Sequence, residues 1–277
     1  MLALTSDFRI ATGNPEPALR AIAEAGFSHV MWCHQWDTDF LYSCWEMRQL
    51  RRWLRQFGLQ VVDVHASAGR EKQFNSLLEY ERRAGVELMK NRIALAAYLE
   101  SDVVVIHIPE GLPTTADPRW AQTFRSLDVL LPFARRHEVR IAIENNPRTG
   151  LIDLQEVLRR YPTPDMGLCY DAGHGNLEKC ALEKLDALKD RILAVHLHDN
   201  DGTSDLHQLP FQGTVPWVRV MGLLAASSYR KCVSLEVVIQ NTGFTDDQAF
   251  LTKARETGER LTAMLAAPQA VSVGRED

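Results

Sequence analysis

"AVHLHDNDGTSDLHQLPFQG", residues 194–213, runs from a short apolar strand pattern straight into a stretch carrying three histidines and three aspartates. Ordinary core packing has no use for such a crowd, whereas the end of a barrel strand, where the loops begin and chemistry collects, does. Outward from it the same pattern recurs as short β-branched runs followed by longer amphipathic segments. The strand-like runs are LALTSDF (2–8), HVMWCH (29–34), LQVVDVHA (59–66), DVVVIHIP (102–109), VRIAIEN (139–145), DMGLCYD (165–171), ILAVHLHD (192–199) and CVSLEVV (232–238). Helical patterns lie between them, such as PALRAIAEAG (17–26), with prolines at its start and a glycine to stop it, and WEMRQLRRWLRQFG (45–58), which ends the same way. Eight strands alternating with helices predict an α/β chain closed into a single (β/α)8 TIM barrel. The rival, an open doubly wound sheet, lacks its G-x-G-x-x-G turn after the first strand. The barrel is expected over residues 1–266, with the aperiodic 267–277 as a disordered tail.

Composition narrows the function. A length of 277 residues suits one such barrel, and the formal net charge of −5 comes with interspersed signs. No basic stripe advertises nucleic acid or an anionic membrane, so a small-molecule substrate is expected. The five cysteines are scattered and form no C-x-x-C, which argues against a disulfide framework and a thiolate zinc knuckle. The N-terminus has neither a basic region nor a long apolar run, and no stretch is apolar for long enough to span a bilayer. A cytoplasmic protein is expected, and exposed helices such as the one carrying Trp45 and Trp53 leave room for a homo-oligomer.

In a barrel, chemistry belongs at the C-terminal ends of the strands. His65 ends the third run, His107 the fourth, Glu144 the fifth, Asp171 the sixth and His198 the seventh, and Glu236 sits near the end of the eighth. Singly, each has an ordinary explanation as a wall residue, a helix cap or a turn former. Together at one rim they would bury carboxylates and imidazoles at a heavy cost unless a cation joined them. The nitrogen and oxygen donors suit Zn²⁺, Mn²⁺, Co²⁺ or Mg²⁺, and the imidazoles favour zinc or manganese.

These residues resemble the xylose isomerase-like barrels, a family of sugar isomerases and epimerases with endonuclease IV-type enzymes as distant members. The resemblance implies that the metal is held by Glu144 in "IAIEN", Asp171 in "CYDAGH", a histidine in "HLHDND" and Glu236 in "SLEV". His196 and His198 share a strand face. His198 is chosen as the ligand because it is nearer the rim and keeps the family's spacing to a following acid, Asp201, which leaves His196 as a deeper wall residue. The activity implied is isomerisation or epimerisation of a sugar, a sugar phosphate or a keto-cyclitol through an ene-diolate, with Glu144 and Glu236 as the acid and base on opposite faces of the substrate.

His65, His107, His174, Asp205 and His207 match the extra ligands of the endonuclease IV branch, as further metal ligands or as substrate contacts. A multi-zinc phosphodiesterase is therefore the alternative, and a dehydratase or lyase on the same barrel is another. Phosphodiester cleavage would need a cationic surface, and near the rim the sequence supplies Arg70, Lys72 and Arg148. Arg148 is expected to bind substrate. Trp32, with Phe8, His34 and Trp36 nearby, is expected to offer the wall on which a sugar ring stacks.

Overall fold

The computed structural model describes residues 1–36, 41–66, 72–108, 117–147 and 150–266. Eight strands alternate with helices: β1 Leu2–Thr5, β2 His29–Trp32, β3 Gln60–His65, β4 Val103–His107, β5 Arg140–Glu144, β6 Met166–Asp171, β7 Ile192–His196 and β8 Val233–Leu235. Every expected run forms a strand. All pairings are parallel, in the order β7-β6-β5-β4-β3-β2-β1-β8. A parallel bridge between Leu197 and Leu235 joins the two ends, so the sheet closes into a (β/α)8 barrel. Expected residues 267–277 lie outside the described residues.

The helices follow from local signals. In α2 (Cys44–Phe57), Ser43 and Glu46 form a reciprocal capping box and Gly58 ends the helix in the left-handed conformation, φ +70°. Pro15 precedes α1 (Glu16–Glu24), and Gly26 after it adopts φ +88°, where a Cβ would also meet the Arg255 guanidinium at 2.6 Å. The remaining helices are α3 Glu79–Tyr98, α4 Pro118–Arg136, α5 Gly150–Arg160, α6 Ala172–Asn176, α7 Ala181–Leu188, α8 Trp217–Ala226 and α9 Asp247–Ala266. Among the described residues no helix is long and apolar enough to cross a membrane.

Strand alternation divides the core. Leu4, Val30, Val64, Ile106, Ile143, Leu168 and Val195 are buried against the helices, each contributing about 1.5–3 kcal/mol of apolar burial. Val103, Val105, Ala142, Cys169 and Ala194 fill part of the barrel interior, and Ala3, Met31, Val62 and Cys232 another part. The same inward phase continues at the rim with His107, Glu144 and Asp171, so the hydrophobic pattern that orients the strands also aims the polar residues inward.

Candidate metal centre

Glu144, the last residue of β5 and fully buried, lies at the junction. Its Oε2 is 3.3 Å from His65 Nε2, 3.4 Å from His107 Nε2 and 3.1 Å from His196 Nδ1. His196 Nδ1 is also 3.0 Å from Glu236 Oε2. Glu144, Asp171, His196 and Glu236 form one group whose potential ligand atoms lie within 4.8 Å of one another, and His65, His107 and Glu144 form a second. A third contains His174, His198, Asp205 and His207. There Asp205 Oδ2 is 3.2 Å from His174 Nε2 and 3.3 Å from His207 Nε2, while the His198 and His207 rings stack at 4.0 Å.

Neighbouring groups hold these side chains in position. Asn146 Oδ1 lies 2.9 Å from His107 Nδ1, leaving Nε2 to face Glu144. Asn145 ties β5 to β6 by accepting from Asp171 N at 2.8 Å and donating to Asp171 O at 2.9 Å. Gly173 permits the approach of His198, because a Cβ there would fall 1.9 Å from the imidazole Cε1. On the open side, a cavity of about 340 Å³ lined by Asp7, Thr12, Phe74 and Met89 reaches His65 and His107.

The electrostatics are those of a charged cluster away from water. Burial alone would raise the pKa of Glu144, but His107 and His196 outweigh it and hold the carboxyl well below its usual range. Burial disfavours the His174 cation, yet Asp171, Asp205 and Glu144 push its pKa up to about 12. His207, opposed by burial and favoured by Asp205 and Glu236, is raised to about 10. Glu144 Oε2, Asp171 Oδ2, His196 Nδ1, His198 Nε2 and Glu236 Oε2 are buried without a hydrogen bond. Four of these residues, Glu144, Asp171, His196 and Glu236, form the first group above, and their orphaned nitrogen and oxygen atoms fit a divalent cation.

Residues 19–254 match the family model described as xylose isomerase-like TIM barrel. The chain belongs to this family. The xylose isomerase-like chain is 31% identical to the uncharacterised protein y4fM of Sinorhizobium fredii, over 90% of this chain and 89% of that one. It is 24% identical to fructoselysine 3-epimerase of Shigella flexneri, over 69% of this chain and 71% of the relative. Among solved structures it resembles a D-tagatose 3-epimerase-like protein, with a TM-score of 0.78 and 22% identity over 95% of this chain and 97% of that one.

Within this xylose isomerase-like barrel, the histidine expected in the group with Glu144, Asp171 and Glu236 is displaced by one strand repeat. His196, not His198, joins that group, because β7 ends at His196 and pairs it with Asp171. His198, two residues further along, keeps contact with Asp171, Nε2 to Oδ1 at 3.0 Å, but groups with His174, Asp205 and His207. The H-x-x-D spacing also runs from His196 to Asp199, and this alternative register identifies the structural acid. Asp199 accepts from Asn200 N, Phe211 N, Val215 N and Trp217 Nε1, at 2.8 to 3.0 Å, and so folds the loop quoted at the outset. Asp201 instead caps an exposed turn at Thr203 and Ser204.

Trp32 is not a sugar-stacking wall. It is fully buried in the layer between barrel and helices, where its Nε1 donates to Tyr42 Oη at 3.2 Å. The strand period turns Trp32 outward and Cys33 inward. Phe8 likewise stacks on Phe250 in that outer layer. Arg148 and Arg70 lie outside the described residues. Sequence reasoning missed Asp7 at the cavity and Asn145 and Asn146 behind Asp171 and His107. The adjacent asparagines directly after Glu144 were the available signal, since amides beside buried polar side chains serve to orient them.

Proposed function

We propose that the protein is a divalent-metal-dependent isomerase or epimerase of a small sugar, in which Glu144, Asp171, His196 and Glu236 hold the ion and Glu144 and Glu236 exchange the substrate proton. The observation that carries this reading is the approach of Glu144 and Glu236 to the same His196 nitrogen, at 3.1 and 3.0 Å, from β5 and the end of β8. Similarity to fructoselysine 3-epimerase supports a sugar as substrate. When bound, the ion supplies Lewis-acid polarisation of a carbonyl and its neighbouring hydroxyl. The protein's own residues do the rest. In the ion-free protein burial opposes ionisation but the surrounding histidines hold both carboxyls below their usual range; with the ion bound, its charge would favour the same carboxylate form, so either glutamate can accept a proton from the carbon beside the carbonyl. The partner glutamate returns a proton from the other side. The cavity beside His65 and His107 receives the remainder of the substrate.

The test is to load the protein with manganese or zinc and incubate it with a panel of ketoses in deuterium oxide. Deuterium is expected at the carbon next to the carbonyl, read by NMR, together with an epimer or aldose product. Failure to exchange with any ketose by protein carrying its full complement of metal would sink the reading.

The several overlapping ligand groups among the described residues favour a second reading, hydrolysis of a phosphodiester by a multi-metal site. Three ions per chain together with cleavage of an abasic-site duplex would establish it in place of the first.

The ligand assignment has its own test. His196→Ala is expected to weaken binding of the central ion by at least ~10²-fold, and His198→Ala to change it by less than ~10-fold, because only His196 joins the central group. Chelator competition measures both, and the opposite ranking would restore His198 as the ligand.

A further inference from the structure

In "QVVDVH" of β3 a plain alternation would send Val61 and Asp63 to one side and Val62 and Val64 to the other. The structure departs from this. Val30 pairs with Val61 but Met31 pairs with Asp63, so the register shifts by one residue at Val62. Val61 and Val64 both pack toward the helices, while Val62 faces the interior. Asp63 and His65 are thereby turned into the barrel. β7 shows the same device: Leu168 pairs with Ile192 and Cys169 with Ala194, one residue being extra at Leu193, after which Ala194 and His196 point inward.

The two shifts bring together residues 133 apart in sequence. His196 Nε2 lies 3.4 Å from Asp63 Oδ1, with the two side chains 0% and 1% exposed. Among the described residues, no lysine or arginine forms an ion pair with Asp63; Lys231 nearby bonds to Val62 O and Asp102. A carboxylate buried this deeply with one imidazole as its ion-pair partner is costly for stability alone. The other nitrogen of that imidazole, Nδ1, faces Glu144 and Glu236.

We propose that Asp63 is a positioning residue of the metal centre, accepting the Nε2–H of His196 so that the Nδ1 lone pair is presented to the ion between Glu144 and Glu236. This rests on the reading of His196 as an ion ligand. A carboxylate behind a ligating imidazole fixes its tautomer and ring orientation and raises its basicity. Asp63 touches neither ion nor substrate. Its effect is carried through His196.

Asp63→Asn keeps the shape but removes the charge. Its dissociation constant for Mn²⁺ or Zn²⁺, from chelator competition, is expected to rise ~10–100-fold over wild type. In zinc-loaded protein with ¹⁵N-labelled histidine, the His196 Nε2–H resonance is expected far downfield in wild type and to move upfield in the variant. Thermal unfolding of the metal-free variant is expected below the wild-type temperature, since removing one member of a buried ion pair leaves the other unbalanced. A purely structural role would give that lower unfolding temperature with unchanged metal affinity. Should Asp63→Asn not fold, Asp63→Ser is read by the same measurements. Affinity within twofold of wild type in a folded variant overturns the proposal alone. Wild-type protein that takes up no ion overturns the metal-centre reading and this proposal with it.

Discussion

Glu144→Ala is expected to leave the protein with no ion at the central group and to lower turnover by roughly 10³-fold or more, the equivalent of several kcal/mol of electrostatic stabilisation. The reason is the residue's shared position. Glu144 belongs both to the group with Asp171, His196 and Glu236 and to the group with His65 and His107. Its loss leaves four imidazoles, those of His65, His107, His174 and His196, facing a space without the carboxylate that balances them. Breaking a buried ion cluster by removing one member also costs about 3–5 kcal/mol of stability, a large part of the total for a typical domain. The measurement is therefore metal stoichiometry by elemental analysis on protein whose circular dichroism matches wild type, with Glu144→Gln beside it to retain the packing. A folded alanine variant with wild-type stoichiometry would remove Glu144 from the ligand set.

Glu236→Gln separates binding from chemistry. The amide retains the shape and one oxygen donor, so ion occupancy and ground-state sugar binding are expected to survive within about tenfold, while proton exchange falls by at least the ~10²-fold typical of losing a general acid–base group. The position of Glu236 makes this informative. Its Oε2 is 3.0 Å from His196 Nδ1, and although burial opposes ionisation, His196 keeps the carboxyl below its usual range, so wild type presents a carboxylate at neutral pH that glutamine cannot replace. Deuterium exchange and metal content are followed on the same samples. Exchange near the wild-type rate would exclude Glu236 as a base, whereas activity falling strictly in step with metal content would leave it a ligand only.

The fold was legible because it depends on local periodicity. Eight strand-like runs alternate with helical segments, some marked by proline or glycine at a boundary as α1 and α2 are, and specify elements one at a time, and parallel closure is the arrangement that buries them all. The rim residues were legible for a related reason: a residue type that terminates an inward-facing strand has one place to go, as Glu144 and Asp171 illustrate. Which histidine of "HLHDND" stands beside them was not legible. His196 and His198 have the same parity and differ by one strand repeat, and the level at which these side chains meet is set by the pairing of Asp171 with His196 across two strands. Trp32 was misjudged because aromatic character carries no information about side, whereas strand phase does. Asp63 shows the limit most plainly. Its inward aim depends on the extra residue at Val62, and its partner lies on a strand on the other side of the barrel whose phase is reset by another extra residue at Leu193. Alternation read along one strand cannot reveal where a neighbour's hydrogen-bond register will slip, so the residue types at the rim come from the sequence, while their depth, facing and partners come from how the strands pair.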